Sequence, residues 1–151
     1  MPGIDDITNA NLIALDLDAT DNFGAIDALA ELLDRDGRLS DKDAYVQAAR
    51  AREEETGGTG MEMGIAIPHA KSGGVREPAV AFGRTPAPIK YGDEDADLIF
   101  LIAAPEGENN LHVKILSRLA RKLIHEDFRA SLREAESPEE VMELLRREVQ
   151  L

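Results

Sequence analysis

Three histidines, His69, His112 and His125, are the only side chains here that ordinarily change charge near neutral pH, and there is no cysteine. An imidazole is partly neutral near pH 7, nucleophilic at nitrogen and a good leaving group once protonated, so it can carry a transferred group covalently for a short time. The three histidines show neither the His-Glu-x-x-His spacing nor another compact ligand pattern, so no metal site is expected. Without cysteine there is no thiolate nucleophile, no disulfide and no Cys-based metal site. Gly57-Gly58-Thr59-Gly60 is glycine-rich but lacks the Walker lysine and Ser/Thr, and does not indicate a nucleotide. The acidic runs at residues 53–55 and 93–97 read as solvated helix ends and loops rather than paired catalytic acids.

The elements around each histidine decide what it can do. Residues 64–67 read as a short strand ended by Pro68, which places His69 where the strand gives way to a loop. A Pro-His pair on its own is more often an ordinary loop histidine than a nucleophile. His112 opens a stripe with Leu116, Leu119 and Leu123 at helical spacing, behind a cap at Asn109 or Asn110. It therefore falls in a first helical turn, where free N–H groups and the helix dipole favour an anion and disfavour an imidazolium. A neutral His112 could donate a hydrogen bond to a phosphoryl group, although a buried histidine capping the core is the better reading of that position when it is taken alone. His125 ends the same helix among charged residues and reads as a solvated surface side chain.

Residues 12–17 alternate weakly, as an opening strand would, and Thr20 or Asp21 can cap a helix burying Phe23, Ile26, Ala30 and Leu33, with Gly37 as its stop. Ser40 with Asp43 resembles a capping box for a second helix running into the charged stretch 50–55, and residues 56–60 must form a loop. Residues 79–82 and 97–104 read as strands, the second buried on both faces because it is continuously apolar. A helix is expected around residues 128–135. The last helix starts from Ser137 as cap, Pro138 in the first turn and Glu140 closing a capping box. Strands interleaved with helices predict an α/β three-layer sandwich, a mixed sheet flanked by helices on both faces.

The chain has 151 residues, fits one domain spanning 1–151, and carries 30 acidic against 17 basic residues, a formal net charge of -13. Nucleic acid is a poor partner for such a surface, because binding it requires clustered cations. Lysine occurs only at Lys42, Lys71, Lys90, Lys114 and Lys122. Acid-rich, lysine-poor surfaces suit high salt, which screens self-repulsion, and a salt-adapted host is one hypothesis for this composition. No apolar run approaches the ~20 residues of a membrane-spanning helix and no secretory signal opens the chain, so a cytoplasmic location is expected.

The run TGMEMGIAIPHAK, with REEE at residues 52–55 before it and NNLHVKILSRLARKL well after it, resembles the fructose/mannitol-type enzyme IIA family of the phosphoenolpyruvate-dependent sugar phosphotransferase system. The likeness extends through PIKYGDEDADLIFLIAAPEG and AESPEEVMELL, nearly the whole chain. It implies the mannitol-specific enzyme IIA fold and a phosphocarrier that needs no cofactor beyond a transient phosphohistidine. The histidine of the AIPH motif, here His69, would be the phosphoryl acceptor. His112 would steady the phosphoryl group, and the arginine of the upstream RE pair, matched by Arg52, would neutralise its charge, with Arg50 as the alternative. The donor would be the carrier HPr and the acceptor a cysteine on an enzyme IIB domain, so membrane involvement is indirect, through the sugar permease. A regulatory enzyme IIA of the nitrogen-linked kind shares the same acceptor motif. Glu62 stands where the family often has glycine, and Gly57 or Gly58 adds a residue to the preceding loop. Met61, Met63 and Ala70 are candidates, by adjacency, for an apolar docking rim, with the core as the other place for the two methionines.

Overall fold

Leu98, Phe100 and Ile102 point to one face of the longest apolar strand, and Ile99, Leu101 and Ala103 to the other, and all six are fully buried. A strand with cores on both sides has no polar face to alternate with, which is why its sequence reads as one hydrophobic run. The computed structural model describes residues 3–107 and 111–150; of Leu111 and His112 it describes the backbone alone. In it this strand, β6 (Glu94–Pro105), pairs antiparallel with β5 (Ala79–Tyr91) across a tight turn at Gly92-Asp93, where Gly92 has φ 66°. Five named strands lie in the order β1-β5-β6-β3-β2, where β1 is Ile13–Ala14, β2 Gly60–Met61 and β3 Ile65–Ala66, while β4 (His69–Ser72) continues along β6 beyond β3. β1 runs parallel to β5, and β3 and β4 run parallel to β6, so the sheet is mixed.

Each face is covered by helices. One core contains Val80, Phe82, Leu98 and Phe100 together with α1 (Ile4–Ile7), α4 (Leu111–Leu123), α5 (Glu126–Glu134) and α6 (Pro138–Glu148). The other contains Ala79, Ala81, Ile99 and Leu101 with α2 (Asn22–Arg35) and α3 (Lys42–Thr56). Across the first, the Phe82 and Phe100 rings sit 4.6 Å apart at a tilt that suits their quadrupoles. The three-layer α/β sandwich with a mixed sheet is therefore the observed architecture.

Several local expectations hold and others shift. Asp21 caps α2, its carboxylate accepting from the Gly24 N–H at 2.8 Å, and the left-handed Gly37 follows the helix. α3 begins one residue later than expected, because Asp41 and not Ser40 accepts from Ala44 N–H, at 3.1 Å; the Ser40 hydroxyl instead donates to the Gly73 carbonyl. Ser137 caps α6 as expected, but the Glu140 carboxylate accepts the N–H of Glu136 and not that of Ser137. The opening strand shrinks to two residues, preceded by α1 and a 3-10 turn at Ala10–Leu12. β5 runs on to Tyr91, well past residues 79–82, through Pro86 and Pro88; its ladder slips between Arg84 and Ile89, so the prolines sit where no ladder N–H is required. The cap expected at Asn109 or Asn110 lies outside the described residues.

Candidate active site

His69 does not lead into a loop. It is the first residue of β4, in register with Ile102 of β6. The reason is local: Pro68 has no N–H to pair, so the ladder breaks between β3 and β4, yet the Pro68 carbonyl still accepts the Ile102 N–H at 2.9 Å and keeps the chain on the sheet. That break frees the carbonyl of Ile67, and His69 Nδ1 lies 2.9 Å from it. A carbonyl can only accept, so Nδ1 carries the hydrogen, and in the neutral ring Nε2 keeps its lone pair. The imidazole is half-buried, oriented by the backbone two residues before it.

The ring opens into a cavity of about 380 Å³ between α3, β4 and the start of α4. Ala48, Ala51 and Arg52 line it from α3, Ala70 and Lys71 from β4, and Val113 and Leu116 from α4. Small residues on α3 let the helix approach the sheet edge, and the residues spaced at 48, 51, 52 and 55 form one helical face over the site. Arg52 is exposed, and its guanidinium has no ion-pair or hydrogen-bond partner among the described residues. Lys71, by contrast, donates to the Gly107 carbonyl at 2.9 Å. Arg50, the alternative phosphate partner, is committed elsewhere: it pairs with Asp27 and its guanidinium lies 5.0 Å above the Phe23 ring, on α2. His112 lies in the first turn of α4, the turn that supplies Val113 to the cavity; its side chain lies outside the described residues. His125 is exposed at the N-cap of α5, away from the cavity.

Met61 and Met63 are 37% and 44% exposed, which excludes the core, but they sit at the far end of β3 and do not line the cavity with His69. Ala70 does line it. Glu62 is exposed in a tight turn (Glu62–Gly64), where Met63 has φ 75° and its carbonyl accepts from Arg133 at 2.8 Å.

A second expectation is overturned at Glu53. Glu53 was expected in solvent and is only 2% exposed. Its carboxylate accepts the Thr59 N–H at 2.9 Å, the Thr59 hydroxyl, and the Asn22 side-chain amide at 3.2 Å. The signal was in the spacing: Tyr45, Ala49 and Glu53 fall at i, i+4 and i+8, so Glu53 continues the buried stripe of α3. The glycines beside it are required by close approach. A Cβ on Gly60 would meet the Tyr91 carbonyl at 2.7 Å, and one on Gly58, which has φ 115°, would meet Gly92 at 3.0 Å. The loop is thus pressed onto the β5–β6 turn.

A mixed sheet between two helical layers, with the oriented imidazole of His69 at the sheet edge beside an arginine that is unpaired among the described residues, defines a small α/β domain with a histidine-centred site. The chain belongs to the family described as "Phosphoenolpyruvate-dependent sugar phosphotransferase system, EIIA 2", which matches residues 6–148. It is 41% identical to the PTS system fructose-specific EIIA component of Haloferax volcanii, covering 94% of each chain. It is 39% identical to the PTS system fructose-specific EIIABC component of Bacillus subtilis, covering 94% of this chain but only 23% of that protein. Among solved structures, the nitrogen regulatory protein IIA-Ntr from Neisseria meningitidis superposes with TM-score 0.81 at 32% identity, over 91% of this chain and 94% of that one. The enzyme IIA of mannitol from Escherichia coli, in complex with phosphorylated enzyme IIB of mannitol, superposes with TM-score 0.78 at 30% identity, over 91% and 96%. Among the described residues no helix is long and apolar enough to cross a membrane.

Proposed function

We propose that this chain is a cytoplasmic phosphocarrier: Nε2 of His69 accepts a phosphoryl group from phospho-HPr and passes it to a cysteine on an enzyme IIB domain during uptake of a sugar, fructose by the names of its relatives. The observation that carries this reading is the bond from His69 Nδ1 to the Ile67 carbonyl, which leaves Nε2 as the nucleophilic nitrogen. In the first step the Nε2 lone pair forms a new P–N bond as the donor's P–N bond breaks, and that electron pair returns to the donor nitrogen. His69 keeps its Nδ1 hydrogen and becomes a cationic phosphoimidazolium, which the Ile67 carbonyl dipole stabilises. In the second step a thiolate displaces the phosphoryl group and Nε2 recovers its lone pair.

Such transfers ask little covalent chemistry of the protein beyond the nucleophile, so the remaining work is alignment and charge stabilisation. Arg52 is the cation that the cavity can offer the phosphoryl oxygens, and the N-terminal end of α4, with its partial positive charge and His112 in its first turn, is the second source. The likeness to the complex with phosphorylated enzyme IIB of mannitol supports IIB as the acceptor. A second reading, regulation by phosphorylation state, is favoured by the likeness to IIA-Ntr.

The deciding experiment is intact-mass spectrometry after incubation with phosphoenolpyruvate, enzyme I and a cognate HPr. The expected result is one acid-labile phosphoryl group that is absent from His69→Ala. No gain with active HPr rejects the proposal. Sugar phosphorylation that proceeds without this chain, once membrane components are supplied, selects the regulatory reading.

A further inference from the structure

The phosphocarrier reading leaves the buried carboxylate of Glu53 unused. No cation pairs with it among the described residues, and burying a carboxylate is costly unless hydrogen bonds replace its water. A leucine at this position would continue the stripe of Tyr45 and Ala49 and bury more apolar surface at no such cost. What a leucine could not supply is the set of bonds to Thr59.

Those bonds lead to His69. Glu53 holds both the N–H and the hydroxyl of Thr59. The Thr59 carbonyl accepts the Ile67 N–H at 3.3 Å, one residue beyond the Gly60–Ala66 pair of the β2–β3 ladder. The Ile67 carbonyl in turn accepts from His69 Nδ1 at 2.9 Å. Every backbone group along the bend is thereby assigned: the Ile67 N–H goes to Thr59, Pro68 has none, and the Pro68 carbonyl goes to Ile102. The Ile67 carbonyl is left to the imidazole. The Pro68–Ile102 bond holds one side of the bend, and Glu53 braces the other, where the only link from Thr59 to Ile67 among the described contacts is the weak 3.3 Å bond.

We propose that Glu53 is a positioning residue for the phosphoryl acceptor, fixing the Nδ1–H tautomer of His69 through Thr59 and Ile67. The proposal rests on His69 being the acceptor, but its first readout does not. That readout is the tautomer itself, from long-range proton–nitrogen spectra of the labelled full chain. The second is the rate of His69 phosphorylation by phosphoramidate, a small P–N donor that needs no partner protein.

In the wild type the Nδ1–H tautomer should dominate. Glu53→Ala should give a mixture of tautomers and slow phosphorylation by about 10-fold or more, the order of loss expected when a reacting group is misplaced. Glu53→Gln should keep the wild-type tautomer and a rate within about 3-fold, because the glutamine oxygen can accept two N–H groups while its amide donates to the Thr59 hydroxyl. This rescue separates geometry from charge. If Glu53→Ala melts earlier but keeps tautomer and rate, Glu53 is a structural staple and the proposal fails. Should that variant not fold, Thr59→Val removes the hydroxyl link alone; a mixed tautomer with a rate loss of about 3-fold supports the relay, and unchanged values overturn it. If phospho-HPr fails to phosphorylate the wild type, the functional reading falls while the tautomer still decides the role of Glu53.

Discussion

The Tyr45 hydroxyl donates 2.8 Å to the carbonyl of Ile102, the residue of β6 that sits beside His69 in the ladder. Tyr45 is fully buried on α3, so one bond ties the helix carrying Arg52 to β6, the strand on which β4 and its imidazole are laddered. Tyr45→Phe keeps the ring and removes the bond. It should cost about 1–2 kcal/mol of stability, read as a lower denaturant midpoint with an unchanged m-value. A midpoint equal to wild type would show that the tie contributes nothing.

Arg52 and Arg50 lie two residues apart on α3 and face different neighbours. Arg50 is held by Asp27 and Phe23, whereas Arg52 borders the His69 cavity without a partner among the described residues. Arg52→Ala should slow phosphoryl transfer by about 10²-fold, the order seen when one charge-stabilising donor is removed, with the melting temperature unchanged. Arg50→Ala should do the reverse, leaving transfer intact at a cost below about 1 kcal/mol, since its ion pair is partly exposed. Equal transfer rates in the two variants would remove Arg52 from the site.

Gly60 is the tightest point of the loop beside Glu53. Its Cβ, were there one, would stand 2.7 Å from the Tyr91 carbonyl, a backbone atom that cannot swing aside. Gly60→Ala should therefore destabilise by about 1–3 kcal/mol through strain, while Gly107→Ala, which meets no atom within 4 Å but sits at φ 145°, should lose only through its backbone conformation. Thermal melts of the pair test this, and a Gly60→Ala melt as high as wild type would mean that the loop can lift from the hairpin.

The sequence made legible what repeats a local rule. The double-sided burial of β6 follows from its unbroken apolar run, and the α2 and α6 starts follow from Asp21, Ser137 and Pro138. His69 was legible because the AIPH run carries a family likeness, not because Pro-His alone is informative. Three features depended on three-dimensional pairing that no local rule states. β5 continues through two prolines only because a slip in its register spares them, the His69 orientation requires the Ile67 carbonyl left free by Pro68, and Glu53 is buried because Thr59 and Asn22 supply donors. The stripe of Tyr45, Ala49 and Glu53 could have flagged the last, but a charged stretch reads as solvated when its helical phase is not followed.

A formal net charge of -13 on 151 residues makes self-repulsion a standing cost in dilute buffer. Salt at about 0.1 M already shortens the screening distance to about 10 Å, and molar salt to about 3 Å. The melting temperature should rise steadily from dilute buffer to molar potassium chloride. A flat response would argue against a surface adapted to salt.

Tyr91 gives the sharpest pH test. Its ring is fully buried, and its hydroxyl has no hydrogen-bond partner among the described residues. Burial pushes the phenol well above its ordinary range and the Glu53 carboxylate adds to this; the nearby Thr59 hydroxyl pulls the other way without reaching hydrogen-bond geometry, being committed to Glu53. An unfolded phenol titrates near about pH 10, so above that pH the unfolded chain releases a proton that the native chain retains. The native state then binds more protons, and stability falls as pH rises, by up to about 1.4 kcal/mol per pH unit for each such phenol. Below about pH 10 the contribution is complete. Tyr45, the other tyrosine, shifts the same way by burial. Tyr91→Phe should be neutral to about 1 kcal/mol stabilising at pH 7, because it removes an unsatisfied buried hydroxyl. Denaturant titrations between pH 8 and pH 11.5 should show its alkaline loss to be shallower than that of wild type, the two curves diverging from about pH 10. Parallel curves would mean that the phenol reaches water in the native state.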